Sequence, residues 1–143
     1  MSTEIVNLIK KSFGQKIADI KKVNDKRIYI EIPADYLRTA ADFLFNQMKL
    51  RFSIASGVDE KDYLEILYHF SFDKEGVFIT LRVKLDSRKP EVDTLTDIIK
   101  GTKWIERELH ELMGINFINN KDLRNLLLSE DYKGKKNPLR KDV

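Results

Sequence analysis

Tyr63-Leu64-Glu65-Ile66-Leu67-Tyr68-His69-Phe70-Ser71-Phe72, the turn Asp73-Lys74-Glu75-Gly76, and Val77-Phe78-Ile79-Thr80-Leu81-Arg82-Val83-Lys84-Leu85 form the stretch that decides the fold. Successive strand side chains point to opposite faces, so alternation sorts each run into two sides. Leu64, Ile66, Tyr68, Phe70 and Phe72 share one side of the first run, and Val77, Ile79, Leu81, Val83 and Leu85 one side of the second. Two such runs joined by a short polar turn ending in glycine predict an antiparallel hairpin with one buried face. The other face shows Glu65, His69, Ser71, Thr80 and Arg82 and reads as the more polar one. Ser87-Arg88-Lys89-Pro90 ends the pairing, because proline lacks the N–H a ladder needs.

Upstream, residues 51–58 predict a strand that reaches the hairpin through Asp59-Glu60-Lys61-Asp62. Before it, Pro33-Ala34-Asp35 opens a helix running to about residue 49, with Asp35 as N-cap. Tyr36, Leu37, Ala40, Ala41, Leu44, Phe45 and Met48 give it an apolar stripe wide enough to lie on a sheet. Strands over about 16–23 and 27–32 flank a tight turn at Asn24-Asp25-Lys26, and Ile28, Ile30 and Ile32 alternate with polar neighbours. Ile5, Leu8, Ile9 and Phe13 stand at helical spacing in residues 3–13, with Gly14 as the stop. The expected fold is α+β, a two-layer sandwich of a mostly antiparallel sheet with helices on one face. Residues 1–100 read as the body. Residues 101–143 read as one further helix and an extended C-terminal docking segment of the same domain.

The 143 residues suit one domain, and 42% hydrophobic with 34% charged residues is ordinary for a folded chain. Cysteine is absent, which excludes disulfides, zinc–cysteine sites and cysteine-ligated iron–sulfur clusters. No apolar run approaches the roughly 20 residues of a membrane helix. Glu4 precedes Lys10 and Lys11, the wrong order for a secretory signal, so a cytoplasmic location is expected. A net charge of +3, with its basic excess at the two ends, is weak for a nucleic-acid binder. A stand-alone basic nucleic-acid-binding domain is the alternative reading. Its basic tail, Lys133, Lys135, Lys136, Arg140 and Lys141, has only Tyr132 nearby as a stacking platform.

Catalytic readings of residues 101–143 fail on spacing. A zincin motif starting at His110-Glu111 requires a second histidine at the position held by Gly114. Glu106 and Glu108 lie two apart on a helix and diverge, so they make no paired-carboxylate site. Glu106 with His110, and Arg107 with Glu111, meet at i,i+4 as ordinary surface pairs. Gly134-Lys135-Lys136 lacks the upstream glycine and strand of a P-loop. Ile105, Leu109 and Leu112 turn one helix face inward and leave Glu106, Arg107 and Glu111 outside beside Trp104. That tryptophan either caps the domain's own core or anchors a partner.

Trp104-Ile105-Glu106-Arg107-Glu108, Glu111-Leu112-Met113-Gly114-Ile115, Phe117, Asp122-Leu123-Arg124 and Pro138-Leu139-Arg140-Lys141-Asp142 together resemble a family signature. Arg51-Phe52, Val58-Asp59, Leu67-Tyr68-His69-Phe70 and Leu81-Arg82-Val83 extend the resemblance upstream, so that it covers most of residues 30–142. The family is the 30 kDa component, or C-subunit, of respiratory complex I (NADH dehydrogenase) and of related energy-converting membrane-bound NiFe hydrogenases. Two stretches depart from the family's usual pattern. Asn119-Asn120-Lys121 stand where a small residue and His-Pro are usual, and Lys135-Lys136-Asn137 separate Gly134 from Pro138.

The resemblance implies a non-catalytic hydrophilic assembly subunit of a membrane-bound, ion-translocating oxidoreductase, at the cytoplasmic face of the membrane only through its complex. It implies no catalytic, metal or cofactor residue in this chain. Iron–sulfur clusters and the NiFe or quinone site are expected in partner subunits. The implied partner is the catalytic large subunit (49 kDa or NiFe-hydrogenase-like), with neighbouring hydrophilic subunits. Charged contacts are expected from Glu106, Arg107, Arg124, Arg140 and Lys141, and apolar anchors from Trp104, Phe117, Leu123 and Leu139. Glu108, Glu111, Gly114, Asp122, Pro138 and Asp142 complete the expected interface.

Overall fold

Five strands assemble in the order β1-β2-β5-β4-β3 in a computed structural model that describes residues 2–121. They are β1 (Asp19–Asn24), β2 (Arg27–Glu31), β3 (Arg51–Asp59), β4 (Tyr63–Phe72) and β5 (Val77–Asp86). The hairpin read from the sequence is the centre of the sheet. Every residue from Tyr63 to Phe72 pairs with one from Asp86 to Val77, without a break in register. Gly76 takes a φ of +65° in the turn, a conformation open to glycine without steric cost. Within this sheet only the β2–β5 pairing is parallel, with Ile28 opposite Ile79 and Ile30 opposite Leu81.

Helices α1 (Ser2–Phe13), α2 (Leu37–Asp42) and α3 (Thr102–Met113) cover one face. Their buried side chains join Ile28, Ile30, Leu64, Ile66, Tyr68, Phe70 and the odd-numbered residues from Val77 to Leu85 in a single core. Phe13 of α1 meets Tyr36 and Phe43 edge-on, each at 5.6 Å between ring centres, and so ties α1 to the residues on either side of α2. The α+β sandwich with helices on one face is the fold observed.

Element ends differ from the sequence reading where the backbone departs from ideal geometry. The strand expected from about residue 16 starts at Asp19, because Gly14–Lys16 form a tight 3-10 turn. Asp35 caps no helix. It lies inside a 3-10 turn, Ala34–Tyr36, and no side chain caps the start of that turn or of α2. After α2 the chain widens, with Met48 N–H donating to the Phe43 carbonyl at 2.9 Å and Leu50 N–H to Leu44 at 2.9 Å. Lys49 (φ 60°) ends the turn in the left-handed region. Two short strands had no counterpart in the sequence reading. β6 (Glu91–Asp93) and β7 (Asn116–Ile118) form a separate parallel pair on either side of α3, with Val92 opposite Phe117.

Candidate partner-docking site

The helix that carries the densest part of the signature runs along β3. The site of a Cβ on Gly101 lies 3.8 Å from the Phe52 ring, and a Cβ on Gly57 would strike Met113 Sδ and come within 3.0 Å of Leu109 Cδ2. Glycine at 57 therefore lets the C-terminal half of α3 settle onto the sheet. The helix stops at Gly114, whose φ of +73° is left-handed, and Gly114 N–H donates to the His110 carbonyl at 3.0 Å. Gly114 thus has a structural task within the chain. His110 Nδ1 lies 2.9 Å from the Ile115 carbonyl and closes the same turn.

Trp104 is 57% exposed, the most exposed of the large hydrophobic residues among those described. The Arg107 guanidinium carbon lies 5.7 Å from its ring centre, one turn further along the same stripe. Among the described residues Trp104 is not enclosed in the domain's own core. Glu108, half-buried, shares that side of the helix.

Glu106, expected outside, is buried with 1% of its surface exposed. Its Oε1 accepts from the Thr94 hydroxyl at 2.6 Å and from Asn120 Nδ2 at 2.9 Å, and its Oε2 accepts from Leu95 N–H at 2.8 Å. The expected surface pair with His110 does not form, because each side chain is engaged elsewhere. Burial raises the Glu106 pKa above the ordinary carboxylate value, against the three hydrogen bonds that hold the charged form. The buried Tyr68 hydroxyl has no hydrogen-bond partner among the described residues; burial raises its pKa well above 10.0, and the Glu106 charge adds to the rise. Segment 94–97 is held from its other side by Arg38, which donates to the Thr94 carbonyl at 2.6 Å and to both Asp97 oxygens at 2.7 and 2.8 Å.

Glu111 and Phe117 also differ from expectation. Glu111 is 4% exposed, and Phe117, expected as a partner anchor, is 1% exposed in the chain's own core. Asp122, Leu123, Arg124, Pro138, Leu139, Arg140, Lys141 and Asp142 lie outside the described residues. Of the expected interface residues among those described, Trp104 is exposed, and Arg107, Glu108 and Gly114 are half-buried.

The model of the family described as "Respiratory-chain NADH dehydrogenase, 30 Kd subunit" matches residues 30–143. The chain belongs to this family. Within the 30 Kd subunit family, it is 29% identical over 141 residues to the C-subunit of the F(420)H(2) dehydrogenase of Methanosarcina mazei, covering 96% of this chain and 89% of that protein. It is 34% identical over 117 residues to the C/D-subunit of the NADH-quinone oxidoreductase of Phocaeicola vulgatus, covering 79% of this chain but 22% of that longer protein. A chain of the membrane-bound sulfane sulfur reductase, described as an archaeal respiratory membrane complex, superposes with a TM-score of 0.79 at 25% identity. That match covers 98% of this chain and 84% of the other. The first two relatives are named as subunits of larger enzymes, and the third is a chain of a membrane complex. Among the described residues of this chain, no helix is long and apolar enough to cross a membrane.

Proposed function

We propose that this chain is a non-catalytic assembly subunit of a membrane-bound, ion-translocating oxidoreductase of the NADH dehydrogenase or hydrogenase type, docked on its catalytic large subunit. The observation that carries the reading is the outward Trp104–Arg107 stack on the signature helix of a 30 Kd family member. Tryptophan and arginine are the residue types most enriched where binding energy concentrates. The C/D relative supports the choice of partner, since a segment similar to this chain is about a fifth of one longer polypeptide there. The absence of cysteine leaves cysteine-ligated iron–sulfur clusters to other subunits, and in this reading the NiFe or quinone site lies there with them. The chain then sits at the cytoplasmic face of the membrane through its complex.

Because Glu106, Glu111 and Phe117 are buried, the docking role falls on Trp104, Arg107 and Glu108, together with residues 122–142. The nucleic-acid alternative draws no support from relatives named as dehydrogenase and oxidoreductase subunits. Truncation of a central anchor costs about 2 kcal/mol or more of binding. The double variant Trp104→Ala/Arg107→Ala is therefore expected to lose most of its co-purification with the large subunit, while its circular dichroism and thermal midpoint stay those of the parent. Undiminished co-purification of the double variant would overturn this assignment.

A further inference from the structure

The sheet has two edges, and they are protected differently. An edge strand offers unpaired N–H and C=O groups, which proteins usually block with charge, bulges or shortness. β1 is blocked in this way: Asp19, Lys21 and Lys22 are exposed, and its register breaks between Lys22 and Asn24. β3 breaks register between Phe52 and Ile54, and beyond that point it runs Ile54-Ala55-Ser56-Gly57-Val58 without a charge or a proline. Among the described residues this run pairs with β4 alone, and Ile54 is 52% exposed.

We propose that the β3 edge, Ile54–Val58, accepts an extended segment of the large subunit as a sixth strand. This rests on the assembly reading given above. A row of backbone donors and acceptors is best matched by another extended backbone, and strand addition to a sheet edge is a recurring mode of protein recognition. The large subunit is favoured as the source because α3 flanks β3 from Phe52 to Gly57. Trp104 and Arg107 stand on the helix that packs on this strand. In the C/D relative a partner seated on them would be tethered to this domain within one chain, which favours simultaneous engagement of both surfaces.

Hydrogen exchange on the intact complex, purified from the native organism, against the isolated full-length chain tests the proposal. Those amides of Ile54–Val58 that do not bond β4 should exchange at least about tenfold more slowly in the complex. Ile54→Lys, which charges the edge as β1 is charged, should lower co-purification with the large subunit about tenfold or more, with the thermal midpoint of the isolated chain unchanged. Two results overturn the strand addition. One is slow exchange at these amides already in the isolated chain; dependence on its concentration would identify a second copy as the occupant, and independence its own residues 122–143. The other is unaltered exchange in a complex where the helix around Trp104 is protected, which would leave the assembly reading standing. Failure of the assembly reading has a separate signature, normal co-purification of Trp104→Ala/Arg107→Ala.

Discussion

Glu106 gathers three chain segments around one carboxylate: α3 that bears it, the Thr94-Leu95 turn, and Asn120 just beyond β7. Replacing it by leucine strands the Leu95 N–H in a buried site, and an unsatisfied buried donor costs about 1–3 kcal/mol. Glu106→Leu should therefore lower the unfolding free energy markedly in denaturant titrations. Glu106→Gln should cost less, since the Thr94 hydroxyl and the Asn120 amide can reverse their roles. The glutamine also reports on charge. The folded-state pKa of Glu106 lies above 4.5, so just above pH 4.5 the folded chain keeps a proton that the unfolded chain has released. Its contribution to stability is full below pH 4.5 and is lost as the pH rises through the raised value. His69 acts in the opposite sense. Burial, aided by the Arg27 charge, lowers its pKa below 6.5, so stability falls as the pH drops below 6.5. Unfolding measured from pH 4 to 7 should show Glu106→Gln gaining relative to the parent toward neutral pH, and His69→Gln gaining toward acid. Parallel curves for all three proteins would contradict both assignments.

Among the elements, α3 owes its position to Gly57 as much as to its own apolar stripe. An added methyl at 57 meets Met113 and Leu109, both buried, so relief requires that the helix lift or that two core side chains move. Gly57→Ala should cost about 1–3 kcal/mol, the usual range for overpacking. Met113→Ala should recover part of that loss in a double-mutant cycle. Additive costs would show that α3 does not bear on Gly57. The same helix marks the limit of what sequence reveals. The hairpin was legible to within a residue, because strict alternation over two long runs leaves little freedom. The inward stripe of α3 was read from Ile105, Leu109 and Leu112, with Glu106 assigned to solvent by residue type. Thr102, Glu106, Leu109 and Met113 recur at intervals of four, three and four, which places the carboxylate on the buried side. Its donors, Thr94 and Asn120, come from outside the helix, and no local pattern announces them. The wide turn after α2 and the three-residue strands β6 and β7 were missed for a related reason: they are fixed by tertiary packing and carry too few residues to show a period. Among the residues expected to face a partner, residue type could not separate Trp104, which is exposed, from Phe117, which the fold keeps for itself.

For the chain taken entire, the one parallel ladder of the five-stranded sheet sets an order of assembly in time. β3, β4 and β5 are consecutive in the chain and joined by short turns, so their contacts close small loops. The β1–β2 hairpin joins the far side of β5 instead, and Ile28 must find Ile79 across α2 and the whole of β3 and β4. Loop-closure entropy delays such distant pairings, which places the three-strand meander in the folding nucleus and the N-terminal hairpin after it. Ile66→Val should slow refolding with a φ-value well above that of Ile28→Val, which should mainly speed unfolding. For a protein made on the ribosome this order has a cost. The N-terminal hairpin emerges first and must wait, unpaired along β2, until the last strand of the meander has been synthesised.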